Sequence, residues 1–158
     1  MTRFFLPVVV FVGLTAAPGF AQDGLPWVRV AEDRPGFVQA PSGRPFLVRG
    51  FNHDEEAFAE MHQLGANVVR IHLQFGRFMQ GPRQPNDAAL DRLADLLALA
   101  ERRRLYLDLT GLGCYHKQDV PAWYDALSEA ERWDAQAAFW RAVAERCQAS
   151  PAVFCYDL

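Results

Sequence analysis

Cysteine is scarce in this 158-residue chain. Cys114, Cys147 and Cys155 are an odd number that can close at most one internal bridge, which excludes a scaffold built on disulfides. None has metal-ligand spacing, and the sequence selects no pair among them; Cys147 and Cys155 read equally well as small buried hydrophobes. Charge of one sign is missing too: 16 basic against 19 acidic residues give a formal net charge of -3, so nothing points to nucleic acid or an anionic membrane surface. No His-Glu-x-x-His occurs, and no His-x-His follows the first strand-like run, which removes the common zinc hydrolase signatures. No Gly-rich phosphate turn follows that run either. Gly50-Phe51-Asn52-His53-Asp54 is not the dinucleotide fingerprint, and Gly111-Leu112-Gly113 is too brief to count. The run FFLPVVVFVGLTAA, residues 4–17, falls short of the roughly 20 residues that span a bilayer and contains Pro7. With Arg3 before it and Gly19-Phe20-Ala21 after it, residues 1–21 read as a signal peptide that carries no cysteine for a lipid anchor. The mature chain, residues 22–158, is then expected to start near Gln22, secreted or periplasmic, without membrane attachment after cleavage.

What is present is an ordinary globular composition, 51% hydrophobic and 22% charged, with a telling alternation inside two apolar runs. In Asn67 to Leu73 (NVVRIHL), Val69, Ile71 and Leu73 share one face and Arg70 and His72 the other. In Leu105 to Thr110 (LYLDLT), the three leucines oppose Tyr106, Asp108 and Thr110. Each run follows a helix-like segment, and a βαβα alternation implies parallel strands with helices over their outer face. The polar face must then line an axis or a cleft. A (β/α) barrel, with its site at the carboxyl ends of the strands, meets that requirement best; a doubly wound α/β domain is the rival.

The punctuation supplies the remaining elements. Trp27 to Val30 and Gly36 to Gln39 read as a hairpin, and Pro41 to Pro45 as a turn before strand one over Phe46 to Phe51. Asp54 is an N-cap with Glu55 and Glu56 in the first turn, Phe58, Met61, His62 and Leu64 follow at helical spacing, and Gly65 supplies the stop. The connection Gln74 to Asn86 is long enough to suggest a functional loop. Leu90, Leu93, Leu96, Leu97 and Ala100 form the stripe of the next helix, closed by Arg102 to Arg104. A helical turn around Pro121 to Leu127 precedes a capping box, Ser128 with Glu131, that opens a helix whose expected stripe is Trp133, Ala137, Trp140, Val143 and Ala144. Pro151 ends it, and Ala152 to Leu158 (AVFCYDL) is strand four. A full eight-fold barrel takes about 250 residues, so the fold expected is α/β, the first half of a (β/α)8 TIM barrel. It would comprise an N-terminal hairpin and about four β/α units, breaking off within strand four. Open strand edges and an open interior predict that such a half barrel alone aggregates, dimerises or stays partly molten.

Gly36 to Asn52 (GFVQAPSGRPFLVRGFN), Gly65 to Leu73 (GANVVRIHL) and Pro151 to Leu158 (PAVFCYDL) together resemble the opening half of a glycoside hydrolase family 5 barrel, the cellulase and mannanase group. The resemblance implies hydrolysis of a β-linked polysaccharide or oligosaccharide by a retaining two-carboxylate mechanism, with no cofactor and no metal. Both catalytic glutamates would lie beyond Leu158, so the segment alone is expected to be inactive. Arg70 matches the strand-two arginine that hydrogen-bonds around the nucleophile, where a guanidinium fork can orient a carboxylate and keep it ionised. Thr110 departs from the histidine that many relatives carry at the end of strand three. Asp108 reads as the buried partner of an inward cation, Arg70 being one candidate, and not as a catalytic residue. Substrate-binding candidates are Asn52 and His53 after strand one, His72 on strand two, and the loop residues Tyr115, His116 and Trp123, since pyranose C–H faces stack on aromatic rings. Phe75, Phe78 and Tyr124 belong to the same loops, whereas Trp133 and Trp140 belong to a helix core. Asp54, Glu55 and Glu56 cannot supply the acid pair, because neighbours opening a helix point in different directions. The alternative is a non-catalytic carbohydrate-binding or interaction protein built on barrel parts. A metal-dependent barrel hydrolase is a weaker third.

Overall fold

The computed structural model describes residues 24–53, 57–111 and 120–158. The leader over residues 1–21, the cap at Asp54 and the loop residues Cys114, Tyr115 and His116 lie outside them. In chain order the elements are β1 (Trp27–Val30), β2 (Phe37–Ala40), β3 (Arg44–Phe46), β4 (Gly50–Asn52), α1 (Phe58–Gln63), β5 (Val68–His72), α2 (Phe75–Phe78), β6 (Met79–Gly81), β7 (Gln84–Pro85), α3 (Asp87–Arg102), β8 (Tyr106–Thr110), α4 (Ala122–Asp125), α5 (Glu129–Cys147) and β9 (Val153–Asp157). They form a mixed α/β fold in which β4-β5-β8-β9 make one parallel sheet and β1-β2-β3 a separate antiparallel one.

The apolar run from Phe46 to Phe51, read as one strand, is divided between the two sheets. Phe46 closes β3 opposite Phe37, and only Gly50–Asn52 joins the parallel sheet. The division is imposed by Asn67. Its Oδ1 accepts from the Arg49 amide at 2.8 Å and its Nδ2 donates to the Leu47 carbonyl at 2.8 Å, so the connector is pinned to β5 rather than extended along β2. Gly50 is required where β4 meets β5, because a Cβ there would stand 2.1 Å from the Val68 carbonyl oxygen.

The outer face of the parallel sheet carries the core. Val69, Leu107 and Leu109 are fully buried, as are Ala100 of α3 and Ala135, Phe139 and Val143 of α5. Of the expected α5 stripe, Val143 lies on the buried face, but Trp133 and Ala137 do not. The buried line runs Ala135, Phe139, Val143, Cys147, an i, i+4 row, whereas Trp133 stands about 200° from Ala135 around the helix and is 63% exposed. Trp140 lies at the margin of the row, with ring contacts to Phe139 at 5.0 Å and Tyr156 at 6.0 Å. Of the expected α1 stripe, Phe58 and Met61 are buried, whereas His62 and Leu64 are exposed. The capping box is formed: the Ser128 amide donates to Glu131 Oε2 at 2.8 Å and the Glu131 amide to Ser128 Oγ at 3.4 Å. The Ser128 hydroxyl and amide together hold the Glu131 carboxyl below its usual range.

Between Leu107↔Val153 and Asp108↔Cys155 the β8–β9 register shifts, leaving Phe154 as an extra residue. Phe154 packs against Phe37 at 4.9 Å and Phe46 at 6.0 Å. Phe46 also meets Tyr106 at 5.0 Å, and the Tyr106 hydroxyl donates to the Pro26 carbonyl at 2.6 Å. The antiparallel sheet thus closes the amino end of the inner face, and burial pushes the Tyr106 phenol up. Tyr106 therefore belongs to that apolar floor, although it alternates with Asp108 and Thr110. Polar chemistry is left to the carboxyl end.

Helices α1 and α3 end in the same hydrogen-bond pattern on different residues. Ala66 N donates to Met61 O and Gly65 N to His62 O, each at 3.0 Å, with Gly65 at φ +82. Leu105 N donates to Ala100 O at 2.9 Å and Arg104 N to Glu101 O at 3.0 Å, with Arg104 at φ 56. Only the first has the residue that this conformation favours. Arg104→Gly is therefore expected to raise stability by about 1 kcal/mol, read as a higher urea midpoint at unchanged slope.

Candidate functional site

Register sets the site. Asn52, Arg70, Asp108 and Cys155 form one row across β4-β5-β8-β9, and His72, Thr110 and Asp157 form the next row toward the carboxyl end. Arg70 is the centre of this face. Its Nε donates to Thr110 Oγ1 at 2.7 Å and stands 3.8 Å from Asp108 Oδ2, and its Nη2 pairs with Asp157 Oδ2. The Thr110 hydroxyl donates to the same Asp157 oxygen at 3.2 Å. Asp108 accepts from the Cys155 thiol at 3.3 Å through its other oxygen. One guanidinium is thus directed by two carboxylates and a hydroxyl drawn from β8, the adjacent strand, and β9, the strand beyond it. That arrangement fixes a planar cation at the mouth of the inner face, where it can hold a further carboxylate or a ligand oxygen.

Thr110, which departs from the pattern of the resembled family, is integrated into this network. Asp157 was not singled out in the sequence, although the alternation that marked Arg70 and His72 also runs through AVFCYDL, where Cys155 and Asp157 stand two apart. Cys155 shares the row. Its thiol is pushed up to about 12, first by burial, then by the hydrogen bond to Asp108 and the nearby Asp108 and Asp157 charges, with Arg70 opposing. Burial pushes the Cys147 thiol up to about 11, with Arg146 opposing. Both thiols are free. In the unfolded chain they lose their protons near the ordinary value of 9.0, so above that pH the unfolded state binds fewer protons and stability must fall as pH rises toward 11. Iodoacetamide at pH 8 is expected to leave both thiols unmodified in the folded protein and to label both in urea, read by peptide mass spectrometry.

Asn52, His53 and His72 gather at one cavity of about 640 Å³, with Arg77, Arg92 and Leu93 completing much of its wall. It wraps around the carboxyl ends of β4 and β5 toward α3, so it adjoins the Arg70 network through Asn52 and His72 without including it. Trp123 is placed elsewhere. It packs on Phe75 at 5.7 Å and on Tyr124 at 5.9 Å, within an aromatic cluster that reaches Phe139. Phe75 and Phe78, expected as loop aromatics, are core residues at 1% and 7% exposure. The long loop folds back as α2 and the β6–β7 hairpin, which lay these rings on α5. Tyr124 is held by Gln136, whose Nε2 donates to its hydroxyl at 2.6 Å, and by the Arg132 guanidinium 5.4 Å from its ring centre. Among the described residues no three His, Cys, Asp or Glu side chains gather as a metal site.

No family model matches the chain, and no curated protein sequence matches it. Solved structures do. An exo-β-1,4-mannosidase from Opitutaceae bacterium strain TAV5 superposes with a TM-score of 0.70 at 18% identity, over 82% of this chain and 27% of that one. The GH5_18 protein of Bifidobacterium longum subsp. longum gives 0.58 at 16% identity, over 66% of this chain and 27% of that one. A glycoside hydrolase family 5 mannosidase from Rhizomucor miehei gives 0.53 at 15% identity, over 84% of this chain and 48% of that one. The chain spans between about a quarter and a half of the length of these structures. At such identities the likeness is one of fold alone.

Proposed function

We propose that the protein is an exported retaining glycosidase acting on a β-linked polysaccharide or oligosaccharide, and that residues 22–158 form the N-terminal half of its (β/α)8 barrel. The observation that carries this reading is Arg70, a guanidinium fixed by Asp157, Thr110 and Asp108 on the polar face at the carboxyl ends of a parallel sheet. In barrel enzymes that end is where chemistry sits. Arg70 would orient the nucleophilic carboxylate and keep it ionised, while Asn52, His53 and His72 would meet sugar hydroxyls from the adjoining cavity. Tyr115 and His116, which follow β8 in sequence, remain candidates for the same substrate.

The chemistry needs two carboxyl groups about 5 Å apart, which the family resemblance assigns beyond Leu158. One attacks the anomeric carbon as the other gives its proton to the leaving oxygen; the latter, now a carboxylate, then takes a proton from a water that attacks the same carbon, displaces the first carboxylate and releases the sugar. Fold likeness to two mannosidases favours β-mannosides as the first substrates to try. The test is hydrolysis of a panel of β-mannans and β-glucans by the full-length protein. Release of reducing sugar supports the reading. Binding of these glycans without hydrolysis would instead support the non-catalytic alternative, and neither binding nor hydrolysis would exclude both.

A further inference from the structure

We infer that Thr110 and Asp157 are a positioning pair for Arg70, steering its guanidinium across β8 onto β9; this rests on the catalytic reading of Arg70 given above. Arg70 leaves β5 and Asp157 leaves β9, and β8 runs between them. The two side chains must therefore together span two strand spacings, about 4.8 Å each. Thr110 stands on that path. Its hydroxyl accepts from Arg70 Nε at 2.7 Å and donates to Asp157 Oδ2 at 3.2 Å, the oxygen that also takes Arg70 Nη2. The contacts close on themselves, so neither partner holds the guanidinium alone.

Asp108 plays a different part. It stands farther from the guanidinium, 3.8 Å from Nε, and its other oxygen is engaged by Cys155. The Arg70 and Asp157 side chains are each 43% exposed, and a pair so open to water adds little to folding stability. What the pair supplies is direction. Besides Asp108 and Asp157, the titratable groups on this face among the described residues include Cys155, His72 beside Thr110 in register, Tyr106 toward the amino end and His53 at the end of β4.

The test uses the full-length protein with Thr110→Val, Asp157→Asn and the double variant. Each single variant is expected to lower kcat about 10-fold or more with KM nearly unchanged, because a displaced orienting group misplaces the reacting carboxylate. The acidic limb of the kcat/KM profile should move to higher pH, since a nucleophile that loses its cation protonates more readily. The double variant should lose no more than the worse single one, and all should melt with the wild type. Additive losses with an unmoved acidic limb would overturn the inference. A wild type that hydrolyses no glycoside overturns the catalytic reading instead, and is seen before any variant is made. Steering itself is read without activity: in protein carrying 15N-arginine, the Arg70 Nε–H should be protected from exchange, and either single variant should remove the protection. Protection that survives both variants would refute it.

Discussion

Arg70→Ala is expected to lower kcat of the full-length protein by about 10²- to 10³-fold while leaving the fold intact, because a preorganised donor to the reacting groups is removed from a site that cannot replace it. Asp108 and Asp157 would then face each other's charge without their shared cation. Arg70→Lys should recover little of the loss. A lysine ammonium is a point charge without the fork that meets Thr110 and Asp157 at once, so it can satisfy one partner or the other. Parallel measurements of kcat and of thermal melting separate the two effects. A loss of activity accompanied by an equal loss of stability would return Arg70 to a structural role.

The largest effect on stability is expected at Phe139. Its side chain is fully buried and its ring meets Phe75 at 5.4 Å, Phe78 at 6.1 Å and Trp140 at 5.0 Å, so it joins α2 to α5. It also lies under Gly111, where a Cβ would stand 2.9 Å from the Phe139 ring and 2.2 Å from that of Trp140. Phe139→Ala removes that contact surface and leaves a cavity that the packed helices cannot collapse, at about 3–5 kcal/mol. Against a total stability of about 5–15 kcal/mol, this lowers the melting temperature by roughly 10 °C or unfolds the protein. Trp133→Ala on the same helix is the control. At 63% exposure it should cost no more than about 0.5 kcal/mol, although the sequence pattern gives both aromatics to the same helix.

That contrast shows what the sequence could and could not carry. Alternation in NVVRIHL and LYLDLT revealed two central strands of the parallel sheet and the polar row on their inner side, because a period of two leaves little choice of face once helices cover the other. The phase of α5 was less determined. Its apolar residues are spread widely around the helix, and the face that is buried depends on which neighbours, here Phe75 and Phe78, arrive from a distant loop. For the same reason the loop aromatics read as surface candidates: nothing local announces that residues 75–85 fold into a short helix and a hairpin. Asp157 was legible in principle from its spacing to Cys155. The bulge at Phe154 was not, since it arises from pairing with β8 and from the apolar floor that Phe37 and Phe46 provide. Asn67 reads as part of a family-like motif, yet its side chain holds the connector between two sheets.

The measurement that tests the account most directly is the anomeric configuration of the first sugar released by the full-length protein, followed by proton NMR before mutarotation. A retaining mechanism through two carboxyl groups about 5 Å apart predicts that the β-linked substrate first yields the β-anomer. The α-anomer as first product would mean inversion, with the carboxyl groups farther apart and a water between them, and would contradict the account of Arg70 as the residue that orients a nucleophile.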